Sequence, residues 1–118
     1  MIKNIKLFYS TFDSFLEFLN SHFKFCRGDL ILLKNSIIIS KNTNPKIFID
    51  EYMKIMIPYH KHIKECNDDF IIKGDFDNDI LTKIRDVWIS GRISVRQKAY
   101  IWYYLTNLFN LGFTIISS

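Results

Sequence analysis

Two short stretches of the chain carry residues that can bind a metal ion, and both have the pattern H-x-K-x-C. The copies are HFKFC, from His22 to Cys26, and HIKEC, from His62 to Cys66, and they use both cysteines of the chain. Positions i and i+4 share one face of a helix, so each copy offers one imidazole and one thiolate to a common ion. Two such faces would together supply a Cys2His2 set, which suits tetrahedral zinc.

A simpler interpretation of the same residues needs no metal. Cysteine is often buried as a small apolar residue, and histidine near a helix C-terminus is stabilised by the helix dipole. The short Cys-x2-Cys spacing that is usual in zinc sites is missing. We therefore expect no cofactor, and keep zinc bound by His22, Cys26, His62 and Cys66 as the alternative.

A second candidate site is basic. The segment KIRDVWISGRISVRQK, residues 83–98, contains Lys83, Arg85, Arg92, Arg96 and Lys98 against one acidic residue. Two helices joined at a glycine resemble the outline of a helix-turn-helix, but the second helix continues as YIWYYL, which is typical of a core rather than of a base-reading surface. The five basic residues are therefore predicted to contact a protein partner or the phosphates of a nucleic acid, without reading sequence.

Other patterns give weaker signals. Arg27-Gly28-Asp29 is interpreted as a helix end followed by the cap of the next helix. Asp75, Asp77 and Asp79 resemble the start of a calcium loop, but the glycine and glutamate of the complete pattern are missing. No catalytic motif is present, and the sequence predicts no enzyme.

Length and composition predict the fold that would hold these candidate residues in place. A chain of 118 residues with 48% hydrophobic content and 11 Phe, 6 Tyr and 2 Trp fits a single helical domain, residues 1–118, with one aromatic core. The net charge of +4 permits weak attraction to anions. The predicted fold is all-α, a compact bundle of about five helices.

Apolar spacing and capping residues locate these helices. The first is predicted to end at Arg27-Gly28, and the second, over residues 30–41, has a β-branched run that leaves a strand as the alternative. Asn44-Pro45 predicts the start of the third helix, with a kink near Pro58. A fourth helix is expected over residues 79–90. The capping box Ser94-x-x-Gln97 predicts a fifth, ending at Gly112.

The end of the chain raises the question of a membrane. No charged residue occurs from Ala99 to Ser118, which is about the length of a membrane span. However, Tyr103, Thr106, Asn107 and Asn110 form a polar stripe at helical spacing, and asparagine is costly inside lipid. A core helix is the better prediction, and a membrane partner is not expected.

The last two thirds of the chain resembles small helical proteins of giant DNA viruses, the mimiviruses and marseilleviruses. The resemblance is carried by Asn44-Pro45, IPYHKHI at 57–63, DDF at 68–70, VWISGRIS at 87–94 and KAYIWYYLTNL at 98–108, in that order. It implies an all-α, non-enzymatic protein of the virion or of the viral factory in the host cytoplasm. It transfers no site residues.

The resulting hypothesis is a structural or accessory interaction protein of a large DNA virus that docks through the basic helical hairpin. Protein binding or self-association is expected, nucleic acid is an alternative partner, and a small-molecule ligand is not expected. A small zinc-stabilised binding domain is the alternative function.

Overall fold

The chain folds into helices joined by short connections. The computed structural model describes residues 2–24, 27–74 and 79–118, and of residues 79–81 it describes the backbone alone. The helices are α1 (Ile2–His22), α2 (Arg27–Thr43), α3 (Pro45–Met56), α4 (His60–Lys64), α5 (Asp69–Lys73), α6 (Asp79–Ile89) and α7 (Val95–Ile116). Within these described ranges there is no strand, so the fold is all-α and residues 30–41 are helical.

Local signals in the sequence set several helix boundaries. Asn44 precedes α3 with extended backbone, and Pro45 occupies the first helical position. A 3-10 turn over Ile57–Tyr59 interrupts the helix at Pro58, as predicted from the missing backbone donor of proline. The predicted start of the third helix and the predicted range of α6 are thus close to the observed ones, and the third helix is divided at its predicted kink into α3 and α4.

Two predicted helix ends are wrong. Arg27 and Gly28 do not end the first helix; they form the first turn of α2, and Asp29 lies inside that turn rather than at its cap. Gly112 does not end α7, which continues to Ile116. Gly112 is instead buried against Met53 of α3, so closely that a Cβ atom there would lie 2.4 Å from the Met53 sulfur. It allows α3 and α7 to approach.

The interior is one continuous cluster of apolar and aromatic side chains. Helix α1 packs against α7 and α2, and α3 packs against both α2 and α7. Phe8 and Phe12 of α1 meet Tyr52 of α3 edge to face, each pair with ring centroids 5.6 Å apart. Such aromatic pairs add about 0.5–1.5 kcal/mol each to the free energy of burial.

Within the described residues three buried polar atoms make no hydrogen bond, namely the Tyr52 hydroxyl, His62 Nδ1 and Trp88 Nε1. Burial raises the pKa of the Tyr52 phenol well above its ordinary value of 10.0, because the phenolate would lose its hydration. By contrast, the Tyr9 hydroxyl donates to the Pro45 carbonyl oxygen at 2.5 Å and ties α1 to the start of α3.

Candidate functional site

The turn between α6 and α7 is fixed by local chemistry. Gly91 has a positive φ of 75°, which glycine adopts without the steric cost that a side chain would bring. The Arg92 amide donates to the Val87 carbonyl oxygen at 3.2 Å and closes the end of α6. The predicted capping box is present: the Gln97 amide donates to Ser94 Oγ at 3.0 Å, and the Ser94 amide donates to Gln97 Oε1 at 2.9 Å. The start of α7 is therefore well defined.

Three of the five predicted contact residues hold other helices in place. Lys83 Nζ lies 2.5 Å from Asp29 Oδ2 and joins α6 to α2. Arg85 donates from Nε to the Ile71 carbonyl oxygen at 2.8 Å and from Nη2 to the Gly74 carbonyl oxygen, so it closes the end of α5. Lys98 Nζ lies 5.2 Å from the centroid of the Trp88 ring, which is cation–π distance.

The other two cations face solvent. Arg92 is exposed, and its Nε donates to Ser90 Oγ at 2.9 Å, which holds the guanidinium near the turn. Arg96 is exposed in the first turn of α7 and borders an open depression of about 270 Å³, which Ala99, Tyr100 and Tyr103 complete. Arg92 and Arg96 are therefore the members of the predicted set that remain available to a partner.

Tyr103 was predicted to lie in the polar stripe of the last helix, and its exposure confirms this. Tyr100 belongs to the run YIWYYL that was interpreted as core, and for Tyr100 that interpretation is wrong. Tyr100 is 46% exposed and Tyr103 is 61% exposed. The helix turns Ile101, Trp102 and Leu105 inward instead. The signal for their position was present in the sequence, because Arg96, Tyr100 and Tyr103 follow helical spacing and continue into the polar residues Asn107 and Asn110.

Rings below the surface hold these tyrosines. Phe18 of α1 packs against Tyr100 with ring centroids 5.4 Å apart, and Tyr104 meets Tyr103 edge to face at 5.4 Å. Phe15 stacks on Tyr104 at 5.2 Å. We call Arg92, Arg96, Tyr100 and Tyr103 the α7 surface. Its two tyrosines are already held by the rings beneath them, so these side chains would lose little conformational entropy when a ligand binds.

The charge of the α7 surface has one sign. Helix α7 contains no Asp or Glu over its 22 residues, and both of its basic residues lie in its first turn. The backbone amides at a helix N-terminus add partial positive charge at the same end. The surface can therefore attract an anion and offer it flat ring surfaces.

The proposed zinc ligands are not gathered in the part of the chain that the structure describes. No group of three or more His, Cys, Asp or Glu side chains there could hold a metal ion, so His22, His62 and Cys66 do not form one site. His22 lies 3.0 Å from the Phe18 carbonyl oxygen through Nδ1, and Cys66 is exposed. Cys26, like Asp75 and Asp77 of the calcium-like loop, lies outside the described residues. The four-ligand zinc site remains an untested prediction.

Two further results describe the chain as a whole. Within the described residues, none of the helices combines the length and the apolar character needed to cross a bilayer. In comparisons with known proteins, no family model matches the chain, and no curated protein or solved structure shows significant similarity to it.

Proposed function

We propose that this protein is a non-enzymatic interaction protein that docks an anionic partner on the α7 surface. The observation that supports the proposal is that Arg96 borders the same depression as two exposed and internally supported rings, Tyr100 and Tyr103, with a second exposed guanidinium, Arg92, in the turn just before α7. Guanidinium groups bind phosphate and carboxylate through paired hydrogen bonds. The capping box at Ser94 fixes the start of α7, the helix that carries Arg96, Tyr100 and Tyr103.

The tyrosines favour single-stranded nucleic acid among anionic partners. Bases stack on aromatic side chains whatever their sequence, and such contacts contribute about 1–3 kcal/mol per base. An acidic protein segment would use the arginines but would gain less from the rings. The shallow shape of the depression suits a partner that lies along α7, rather than a small molecule enclosed on several sides.

The binding test uses a short fluorescent single-stranded oligonucleotide, with anisotropy read over a series of salt concentrations. The double variant Arg92→Glu/Arg96→Glu is compared with Lys61→Glu/Lys64→Glu, which makes the same change in net charge on α4. If the two arginines contact phosphates, the slope of log K against log salt should fall by about 1.4 in the first variant. The second should change the affinity much less.

A second pair of measurements identifies the partner class. Tyr100→Ala/Tyr103→Ala should weaken binding of the oligonucleotide by at least about tenfold and leave binding of polyglutamate unchanged, because polyglutamate has no bases to stack. Equal losses for both ligands would favour an acidic protein partner. Absence of binding to either at low salt would reject the proposed function.

The wider biological role follows from the resemblance to giant-virus proteins. On that basis we propose a structural or accessory role in the virion or in the viral factory, where a nucleic-acid partner is abundant. Mass spectrometry of purified particles, with a quantified capsid protein as reference, tests this assignment separately from the binding measurements.

A further inference from the structure

Helix α2 has a second apolar face that nothing in the described chain covers. Its buried residues are Leu30 and Ile37. Ile31, Leu32, Ile38 and Ile39 are between 47% and 69% exposed. These four form two pairs seven positions apart, and seven residues are close to two full helical turns. They therefore make one stripe, which we call the α2 outer face, on the side of α2 away from its buried residues.

A groove beside this stripe carries both signs of charge. Asp13 and Glu17 of α1 form one wall, Arg27 and Lys34 of α2 form the other, and Ile31 belongs both to the groove and to the α2 outer face. The volume of the groove is about 170 Å³. The described ion pairs do not include any that join these two acids to these two bases. The four charges therefore remain available to a partner.

We propose that a second copy of this chain covers the α2 outer face, with the two α2 helices antiparallel about a two-fold axis near Asn35. In a two-fold interface the same patch lies on both sides, so it has to complement itself. A stripe with equal apolar pairs at 31/32 and 38/39 matches its own reversed copy. The groove beside the stripe is also self-complementary in charge, because the acids of one copy can face the bases of the other.

The residue at the centre of the stripe supports this occupant over others. Asn35 lies midway between the two apolar pairs and is exposed. Against an apolar surface its amide would lose its hydrogen bonds to water, which is costly. At a two-fold axis it meets the amide of the other copy, which both donates and accepts, and such a polar pair also fixes the register of two helices. The carboxylates of the groove disfavour a nucleic acid here.

The expected dimer is weak and reversible. A helix of 17 residues is about 25 Å long, so a seam along α2 is at the low end of specific interface sizes. We therefore expect dissociation in the micromolar range, with monomer and dimer exchanging in solution. The inference does not depend on the proposed function, because the two surfaces share no residue.

Sedimentation velocity over a range of protein concentrations tests the dimer. Ile38→Glu should raise the dissociation constant at least about tenfold, because it buries an unpaired charge at the seam. Ile55→Glu, on an isoleucine of α3 that is 57% exposed, is the matched control and should leave the constant unchanged. A wild-type chain that stays monomeric at about 1 mM, or equal effects of the two variants, would overturn the proposal.

Cross-linking tests the orientation without altering an apolar residue. In a Cys26→Ser/Cys66→Ser background, Asn35→Cys should form a disulfide-linked dimer on mild oxidation, since residue 35 meets its copy near the axis. Asn42→Cys is the control, because an antiparallel pair places the two copies of residue 42 about 21 Å apart. Linking through 42, or through neither position, contradicts the antiparallel arrangement.

Charge variants test the part assigned to the groove. Lys34→Glu alone and Asp13→Lys alone should each weaken the dimer, because each leaves like charges facing across the seam. An equimolar mixture of the two should recover association, since each copy then supplies what the other lacks. If the mixture stays monomeric, a second copy does not pair with the groove.

Discussion

Helices α7 and α2 are both rich in large apolar residues, but they use them differently. Helix α7 buries seven residues, among them Trp102 and Leu108. Its exposed residues include Tyr100, Tyr103 and Arg96, and only two large aliphatic or phenyl side chains, Val95 and Phe113. Helix α2 buries two and leaves four large aliphatic residues in solvent. An apolar residue contributes to folding in proportion to the area removed from water. The same residue type should therefore matter for stability on α7 and for association on α2.

Leucine to alanine substitutions on the two helices give the largest expected contrast. Leu108 is fully buried, whereas Leu32 is 69% exposed. Leu108→Ala should lower the free energy of unfolding by about 2–5 kcal/mol through lost burial and a cavity. Leu32→Ala should change it by less than about 0.5 kcal/mol. Urea denaturation at low protein concentration, where the monomer dominates, measures both, and similar losses would remove the distinction between the helices.

Glycine to alanine substitutions should change stability in opposite directions. At Gly112 the added Cβ collides with Met53, so overpacking of about 1–3 kcal/mol outweighs the helix propensity gained. At Gly28 of α2 the new Cβ meets no atom within 4 Å, so alanine should stabilise the protein by about 0.5–1 kcal/mol. Thermal unfolding of both variants measures the difference, and stabilisation by both would show that α7 and α3 are less closely packed than described.

A substitution at Tyr52 tests how well the interior beside α3 is packed, since α3 contacts both α2 and α7. Tyr52→Phe removes a buried hydroxyl that has no described partner, and should stabilise the protein by about 1 kcal/mol. If water reaches the Tyr52 hydroxyl in solution, the substitution should instead be neutral or destabilising. Urea denaturation at neutral pH distinguishes the two outcomes.

The alkaline pH dependence gives a second measure of the same burial. The pKa of Tyr52 is raised in the folded protein above the 10.0 of the unfolded chain. The proton held by the folded state therefore causes no loss in the free energy of unfolding below pH 10, and that free energy falls as pH rises above 10. Above pH 10 the unfolded chain releases a proton that the folded chain keeps. The advantage of Tyr52→Phe should therefore grow by about 1 kcal/mol between pH 10 and 11. An advantage that is constant over this range would contradict the burial of the phenol.

The sequence predicted those parts of the fold that depend on neighbouring residues. The capping box at Ser94 and the proline start of α3 involve groups within a few positions of each other, and both were found where expected. The kink at Pro58 follows from the chemistry of one residue. The helical state of 30–41 was less certain from local pattern, since its β-branched run also suits a strand.

What the sequence could not predict depends on contacts between distant segments. Glycine is typical of helix ends, but at position 112 it is required by close packing against Met53, almost sixty residues earlier in the chain. The sequence does not show that Lys83 pairs with Asp29, or that Arg85 donates to the carbonyl oxygen of Ile71 in α5. The outward position of Tyr100 depends on which side of α7 meets α1. Periodicity finds an apolar face, and packing decides which of two such faces is buried.

The central claim is that the α7 surface binds an anionic partner, and the salt dependence of oligonucleotide binding tests it most directly. Wild-type protein should bind the single-stranded probe with an affinity that falls steeply with salt, and Arg92→Glu/Arg96→Glu should lose both affinity and slope while remaining folded by circular dichroism. Unchanged affinity and slope in that variant, with Lys61→Glu/Lys64→Glu as reference, would contradict the account.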